Sequence, residues 1–221
     1  MSARPFTTFE LTLLESRLIA AHRYRDAMLL KAGVSVGYRI TEILSWTVGQ
    51  VLTPAGDVAR EVTVTRALLK GGSGKKKRSI KSRRVVLNEK ARAAIRDYIT
   101  SLGTVPAPDE FLFKSREGGN RPLHRSQAHR ILVQTCEECG IDTARISTHS
   151  LRKTFVRSVY DASGHDVIKT MKVVNHSSPV ITARYLENTE TELDDLVLGL
   201  AAVPAPGLAA TMWGGHTTPE R

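Results

Sequence analysis

A mainly α-helical domain with one small antiparallel three-stranded β-sheet is the fold this sequence predicts, on three observations. Apolar residues recur at helical spacing over most of the chain. Between residues 47 and 88 the pattern shortens to β-type runs separated by turn residues. Caps and stops stand where the period changes. In order, Thr12 and Glu15 have capping-box spacing and open a helical stretch to about residue 32, with Gly33 as its stop. A second helix follows Gly37, with Ile40, Ile43 and Leu44 on one face. The run TVGQVLT, the turn PAGD and the run REVTVTRALL read as a hairpin, and SRRVVLN as the third strand.

Helices resume over residues 89 to 101. The connection GTVPAPDE leads through FLF and SREGGNRP to a helix that Ser126 caps and that ends before Gly140. The segment THSLRKTFVRSVYDAS is helical up to Gly164, and HDVIKTMKVV up to Asn175. Ser178-Pro179, a cap followed by a first-turn proline, starts a short helix that carries Tyr185. The last helix, TELDDLVLGLA, bears the stripe Leu193, Leu196, Val197 and Leu200. The Pro-, Gly- and Ala-rich stretch after Val203 has the composition of a disordered tail.

With 221 residues, 41% of them hydrophobic and 24% charged, the chain has the make-up of a soluble protein with a sizeable core. No apolar run reaches membrane-spanning length, and MSARPFTTFE lacks the hydrophobic core of a signal peptide. The expected place is therefore the cytoplasm, with no membrane partner. Cys136 and Cys139 are too few for a disulfide framework, and zinc wants four ligands where no second pair exists, so both read as small helix residues facing the core.

Charge is more informative. The chain carries +10, and residues 70 to 84 (KGGSGKKKRSIKSRR) hold eight of its basic residues and no acid. These are Lys70, Lys75, Lys76, Lys77, Arg78, Lys81, Arg83 and Arg84; without them the remainder carries only +2. A cationic block spaced by Gly and Ser is the pattern of an arm reaching for a polyanion, nucleic acid first. Standing alone, it fits a solvated loop or a localisation tag equally well.

His149 and Arg152 lie three residues apart at a helix start, where backbone N–H groups favour an anion and a guanidinium offers a planar fork to phosphate oxygens. An H-x-x-R pair is weak by itself. Here Arg39 stands before an amphipathic helix, His176 follows Arg152 by 24 residues and Tyr185 follows His176 by nine. At these residues the sequence resembles the tyrosine recombinase (phage integrase) family. The segments that carry the resemblance are Gly37-Tyr38-Arg39-Ile40-Thr41-Glu42, the hairpin around Lys70, His149-Ser150-Leu151-Arg152, Asn175-His176-Ser177-Ser178, and Arg184-Tyr185. The resemblance as a whole covers roughly residues 10 to 200. Asn175 departs from the glycine usual in the family, and asparagine tolerates the positive φ of such a turn. The family also usually has a core-binding domain ahead of the catalytic one. The expected organisation here is a catalytic domain over 1–202 and a tail over 203–221, with the core-binding domain absent.

The resemblance implies a chemistry as well as a fold. Tyr185 is the nucleophile, forming a 3′-phosphotyrosyl enzyme and freeing a 5′-hydroxyl. Arg39 and Arg152 neutralise the non-bridging oxygens as phosphorus becomes five-coordinate, in place of a metal. His149 and His176 donate to the same oxygens, and His149 also suits acceptance of the phenol proton. A hairpin lysine protonates the leaving oxygen: Lys70, before Gly71, matches the family's turn most closely, with Lys75, Lys76 and Lys77 as alternatives. Glu42 is either a buttress for Arg39 or a surface glutamate. Neither cofactor nor ATP is implied. The implied partner is double-stranded DNA, on which the chain assembles toward a tetramer, in a prokaryotic or phage-encoded, nucleoid-associated setting. A type IB topoisomerase and a DNA-binding protein without cleavage are the alternatives.

Overall fold

The computed structural model describes residues 3–64 and 82–186, together with Asp194, Val197 and Leu198. By internal contacts the chain divides into Met1–Leu186 and Glu187–Arg221; every element below belongs to the first unit.

Helix α1, Thr8–Ala20, starts at a capping box earlier than expected: the Thr7 hydroxyl accepts from the Glu10 N–H, and the Glu10 carboxylate accepts from the Thr7 N–H. The single helix expected over residues 12 to 32 is two. The chain breaks at His22, whose φ is +53°, and resumes as α2, Tyr24–Val36. Arg23 secures the break, pairing with Asp26 at 3.1 Å and reaching Glu138 at 3.4 Å. Gly33 is not a stop but lies inside α2, where a Cβ would come within 2.7 Å of Leu151 Cδ1. The stop is Gly37, at φ +62°.

After α3, Ile40–Leu44, the run expected as the first strand is instead a helical turn, α4, Val48–Val51. The Thr47 N–H donates to the Gln50 side chain and closes a capping box, which outweighs the β-propensity of the valines. Its remaining pairings are single bridges, Leu52 with Val58 and Thr47 with Phe111. The sheet among the described residues is therefore two-stranded. It pairs β1, Glu61–Val64, antiparallel with β2, Arg83–Val86, in the register Glu61 to Val86 and Val64 to Arg83. Val62 and Val64 face the core while Glu61 and Thr63 face out. Lys70, Lys75, Lys76, Lys77, Arg78 and Lys81, and the side chain of Arg83, lie outside the described residues.

The rest is helical: α5, Glu89–Ser101; α6, Arg125–Glu138; α7, Thr148–Ala162; α8, Val167–Val174; and α9, Pro179–Tyr185. His124, rather than Ser126, caps α6, its Nδ1 accepting from the Ser126 N–H. Helix α2 runs through the middle of the unit, against α5, α7 and α1. One side of the core gathers Met28, Tyr38, Trp46, Ile95 and Phe113, and the other Leu14, Leu18, Leu30, Leu132, Cys136 and Leu151. Burial pushes the Cys136 thiol up to about 11, as suits an inert packing residue. Of the expected last helix only Asp194, Val197 and Leu198 are described, all helical; the tail after Val203 lies outside the described residues. Among the described residues no helix is long and apolar enough to cross a membrane.

Candidate active site

The site is built where the start of α7, the turn after α2 and the turn after α8 meet. Ser147 caps α7, its hydroxyl accepting from the His149 N–H at 3.2 Å, and buried Ser150 accepts from the Ser147 N–H at 3.1 Å. This fixed first turn sends His149 and Arg152 out on one face.

Arg152 is the centre. Its side chain is buried, with the residue only 2% exposed. One terminal nitrogen, Nη1, donates to the Gly37 carbonyl. The other, Nη2, donates to the Val174 carbonyl at 3.4 Å and to His176 Nε2 at 2.9 Å, while Nε has no partner. Its Cζ lies 5.6 Å from the centre of the Tyr185 ring. Burial lowers its pKa below the ordinary guanidinium value, and the Tyr185 oxygen is the strongest influence opposing that shift. One guanidinium thus ties three segments together.

Both turns that it fastens have left-handed backbone. At Gly37 a Cβ would fall 2.1 Å from Phe155 Cδ1, so the position excludes a side chain. Asn175 adopts φ +54° and ends α8. Asparagine thus makes the left-handed turn expected of it from the sequence.

Arg39 precedes α3. Its side chain is 43% exposed, and Nη1 donates to Glu42 Oε1 at 3.3 Å. Glu42 is buried, and its other oxygen accepts from the Arg39 backbone N–H at 2.8 Å. Glu42 is therefore a buttress: it holds Arg39 by both ends and leaves the guanidinium open to solvent.

His149 is exposed, and its pKa is held below the ordinary imidazole value by desolvation first, then by Arg152, Arg39 and Lys153. A neutral imidazole among cations can accept a proton at neutral pH. Lys153, buried beside Arg152, is a member of the site that the motif spacing did not flag.

The ring of His176 lies 4.9 Å from that of Tyr185, tilted by 36°. Its Nδ1 is 3.0 Å from Thr182 Oγ1. Ser178 caps α9, accepting from the Ile181 N–H, and Pro179 opens the helix that ends on half-buried Tyr185. The structure thus brings together Arg39, His149, Arg152, His176 and Tyr185, five residues spread over 147 positions of sequence. Thr182 was also missed, since one threonine in a short helix carries no motif signal. Of the basic block, Arg84 has a described side chain; it is exposed and pairs with Glu61 across the sheet at 2.7 Å. Among the described residues no group of three or more His, Cys, Asp or Glu side chains is arranged to hold a metal ion.

Comparison with known proteins gives a consistent set. The family described as the phage integrase family matches residues 10–192. The probable integrase/recombinase YoeC of Bacillus subtilis (strain 168) is 31% identical over 162 residues, covering 73% of this chain and 77% of that protein. Among solved structures, XerA recombinase superposes with a TM-score of 0.66 at 18% identity, over 90% of this chain and 64% of that one. XerH site-specific recombinase, bound to a palindromic difH substrate in a post-cleavage complex, gives 0.62 at 18% identity, over 87% of this chain and 51% of that one. The Tn1549 transposon integrase with a circular intermediate DNA gives 0.60 at 17% identity, over 92% and 67%. At that identity these structures establish the fold. The chain spans between about half and two thirds of their length.

Proposed function

The chain belongs to the phage integrase family, the site-specific tyrosine recombinases, and from that premise we propose that it cleaves and rejoins double-stranded DNA through a 3′-phosphotyrosyl intermediate on Tyr185. The observation that carries this reading is the contact of Arg152 with both His176 and the Tyr185 ring. A buried cation beside Tyr185 supports this reading, because a five-coordinate phosphorus attacked there would develop negative charge next to it. In the forward step the Tyr185 oxygen bonds to phosphorus and the bond to the 5′-oxygen breaks. Neutral His149 accepts the phenol proton, and the hairpin lysine, Lys70 with Lys75, Lys76 and Lys77 as alternatives, gives one to the departing oxygen. Arg39 and Arg152 hold the non-bridging oxygens. Rejoining is the reverse attack by a 5′-hydroxyl, so the bond energy is kept in the phosphotyrosine and no ATP is consumed.

Residues 1–202 form the catalytic domain in this reading. The DNA-binding surface comprises Lys75, Lys76, Lys77, Arg78, Lys81, Arg83 and Arg84. The chain assembles toward a tetramer only on DNA that holds two sites, and works in the nucleoid of a bacterial or phage-infected cell. The test is a suicide duplex whose nicked 5′ fragment diffuses away, with the covalent complex trapped and detected on a denaturing gel. The wild type should form the adduct in the presence of EDTA. Tyr185→Phe should form none while binding the duplex as well as wild type; an adduct that survives the substitution refutes the assignment.

A further inference from the structure

A buried threonine in a helix commonly turns its hydroxyl back on the carbonyl four residues earlier. Thr182 is wholly buried, and its Oγ1 instead meets His176 Nδ1 at 3.0 Å. On the other side of the ring, Nε2 lies 2.9 Å from Arg152 Nη2. A guanidinium only donates, so Nε2 accepts, the imidazole is neutral, and its one proton sits on Nδ1, facing Thr182. Thr182 is three residues before Tyr185 on α9, on the same side of one short helix.

We propose that Thr182 is a positioning residue that seats the His176 ring through Nδ1, while Arg152 fixes the resting tautomer through Nε2, and so ties the ring to the helix that carries the nucleophile. The inference deepens the cleavage reading and, for its kinetic part, rests on it. When a phosphate oxygen takes the Arg152 N–H, Nε2 loses its donor and must itself donate to the phosphate. The ring then releases its Nδ1 proton to solvent and takes one at Nε2, with no net change in charge. Nδ1 is now an acceptor, and the Thr182 hydroxyl, turned about its C–O bond, donates to it. A hydroxyl serves both states; a methyl serves neither. With α9 unseated, Thr182 no longer meets Nδ1, and the ring loses the anchor that this helix supplies. Readiness of His176 is thereby tied to the presence of Tyr185.

The experiment uses the full chain labelled with ¹⁵N-histidine, as wild type, Thr182→Val and Thr182→Ser. Long-range ¹H–¹⁵N spectra report the His176 tautomer in the free protein, and single-turnover trapping on the suicide duplex reports the rate. Wild type and Thr182→Ser should show the Nδ1–H form at rest and cleave within about threefold of each other. Thr182→Val, with Arg152 still donating to Nε2, should keep the Nδ1–H form but show a shifted Nδ1 resonance, since that N–H has lost its acceptor. It should cleave on the order of ten- to a hundredfold more slowly at unchanged DNA affinity, the span expected for one buried hydrogen bond left unmade. An Nε2–H form in resting wild type overturns the proposal. So does a Thr182→Val protein with wild-type Nδ1 resonance and rate, or a Thr182→Ser protein as slow as the valine variant. Should the valine variant not fold, the wild-type spectrum and the serine rate still decide. A chain that forms no adduct at all overturns the cleavage reading alone, because the ring spectrum judges Thr182 independently.

Discussion

Arg152→Ala should damage the fold as well as the chemistry, and the two losses can be separated. The guanidinium makes a charged hydrogen bond to the Gly37 carbonyl, one to His176 at 2.9 Å and a long one to Val174 at 3.4 Å. Hydrogen bonds to charged groups contribute about 1.5–3 kcal/mol each, so the two close ones amount to roughly 3–6 kcal/mol. Burying the cation offsets part of this, as its depressed pKa and its unpartnered Nε both indicate. A net loss of about 2–4 kcal/mol is the expectation, a large share of the roughly 5–15 kcal/mol that holds a domain together. At about 2–4 °C per kcal/mol for a unit of this size, Tm should fall by roughly 4–16 °C. The assay pairs urea unfolding with single-turnover cleavage at saturating protein, at a temperature where the variant is still folded. Cleavage should fall by about a hundred- to a thousandfold there, the scale of losing one preorganised transition-state donor. Wild-type stability with lost cleavage would show that the carbonyl contacts carry no weight. A rate loss equal to the unfolded fraction would show that the arginine is structural only.

What the sequence disclosed of this site, and what it hid, follow from how each signal is written. Arg39, His149, Arg152, His176 and Tyr185 were legible because their spacing is a motif and each stands beside a cap or a turn. The three helices that deliver the last four, α7 to α9, were legible from their punctuation: Gly164 and Asn175 follow the first two, and Ser178-Pro179 opens the third. The first helix misled because two capping boxes were available, and the Thr7–Glu10 pair took the role read onto Thr12 and Glu15. Gly33 misled because a glycine serves close approach as well as termination, and its reason for being there, Leu151, is over a hundred residues away. The segment from Thr47 misled because a four-residue helix is too short to show a period, whereas its valines suggest a strand. The burial of Arg152 could not be read at all. A guanidinium that clamps two backbone carbonyls is specified by the carbonyls' positions, which have no side-chain signature.

Three further outcomes are expected. Gly37→Ala should cost about 2–5 kcal/mol in urea unfolding: about 1–2 for placing alanine in the left-handed region and about 1–3 for driving Phe155 aside. Gly56→Ala, at φ +84° with nothing within 4 Å, is the control and should lose only the first part. Lys70→Ala should lose cleavage of an ordinary duplex and recover it on one whose 5′ leaving group is a thiolate, which needs no proton; rescue of a Lys75, Lys76 or Lys77 variant instead would move the acid to that residue. The last concerns His149, whose pKa lies below its ordinary 6.5 through partial desolvation of the ring, then Arg152, Arg39 and Lys153. A base so placed stays neutral into mildly acidic solution, so the acid limb of the cleavage rate should fall below pH 6.5. Its effect on stability has a definite sign. As pH drops, the unfolded chain takes up the proton near 6.5 while the folded chain still resists it, so stability is fully present above 6.5 and declines as pH falls toward the folded value. Titration of the His149 ring by NMR, with urea midpoints from pH 7.5 to 5, checks both. The difference between wild type and His149→Gln should widen as pH falls and level off below the folded pKa, whereas a ring titrating at or above 6.5 would refute the neutral-base reading.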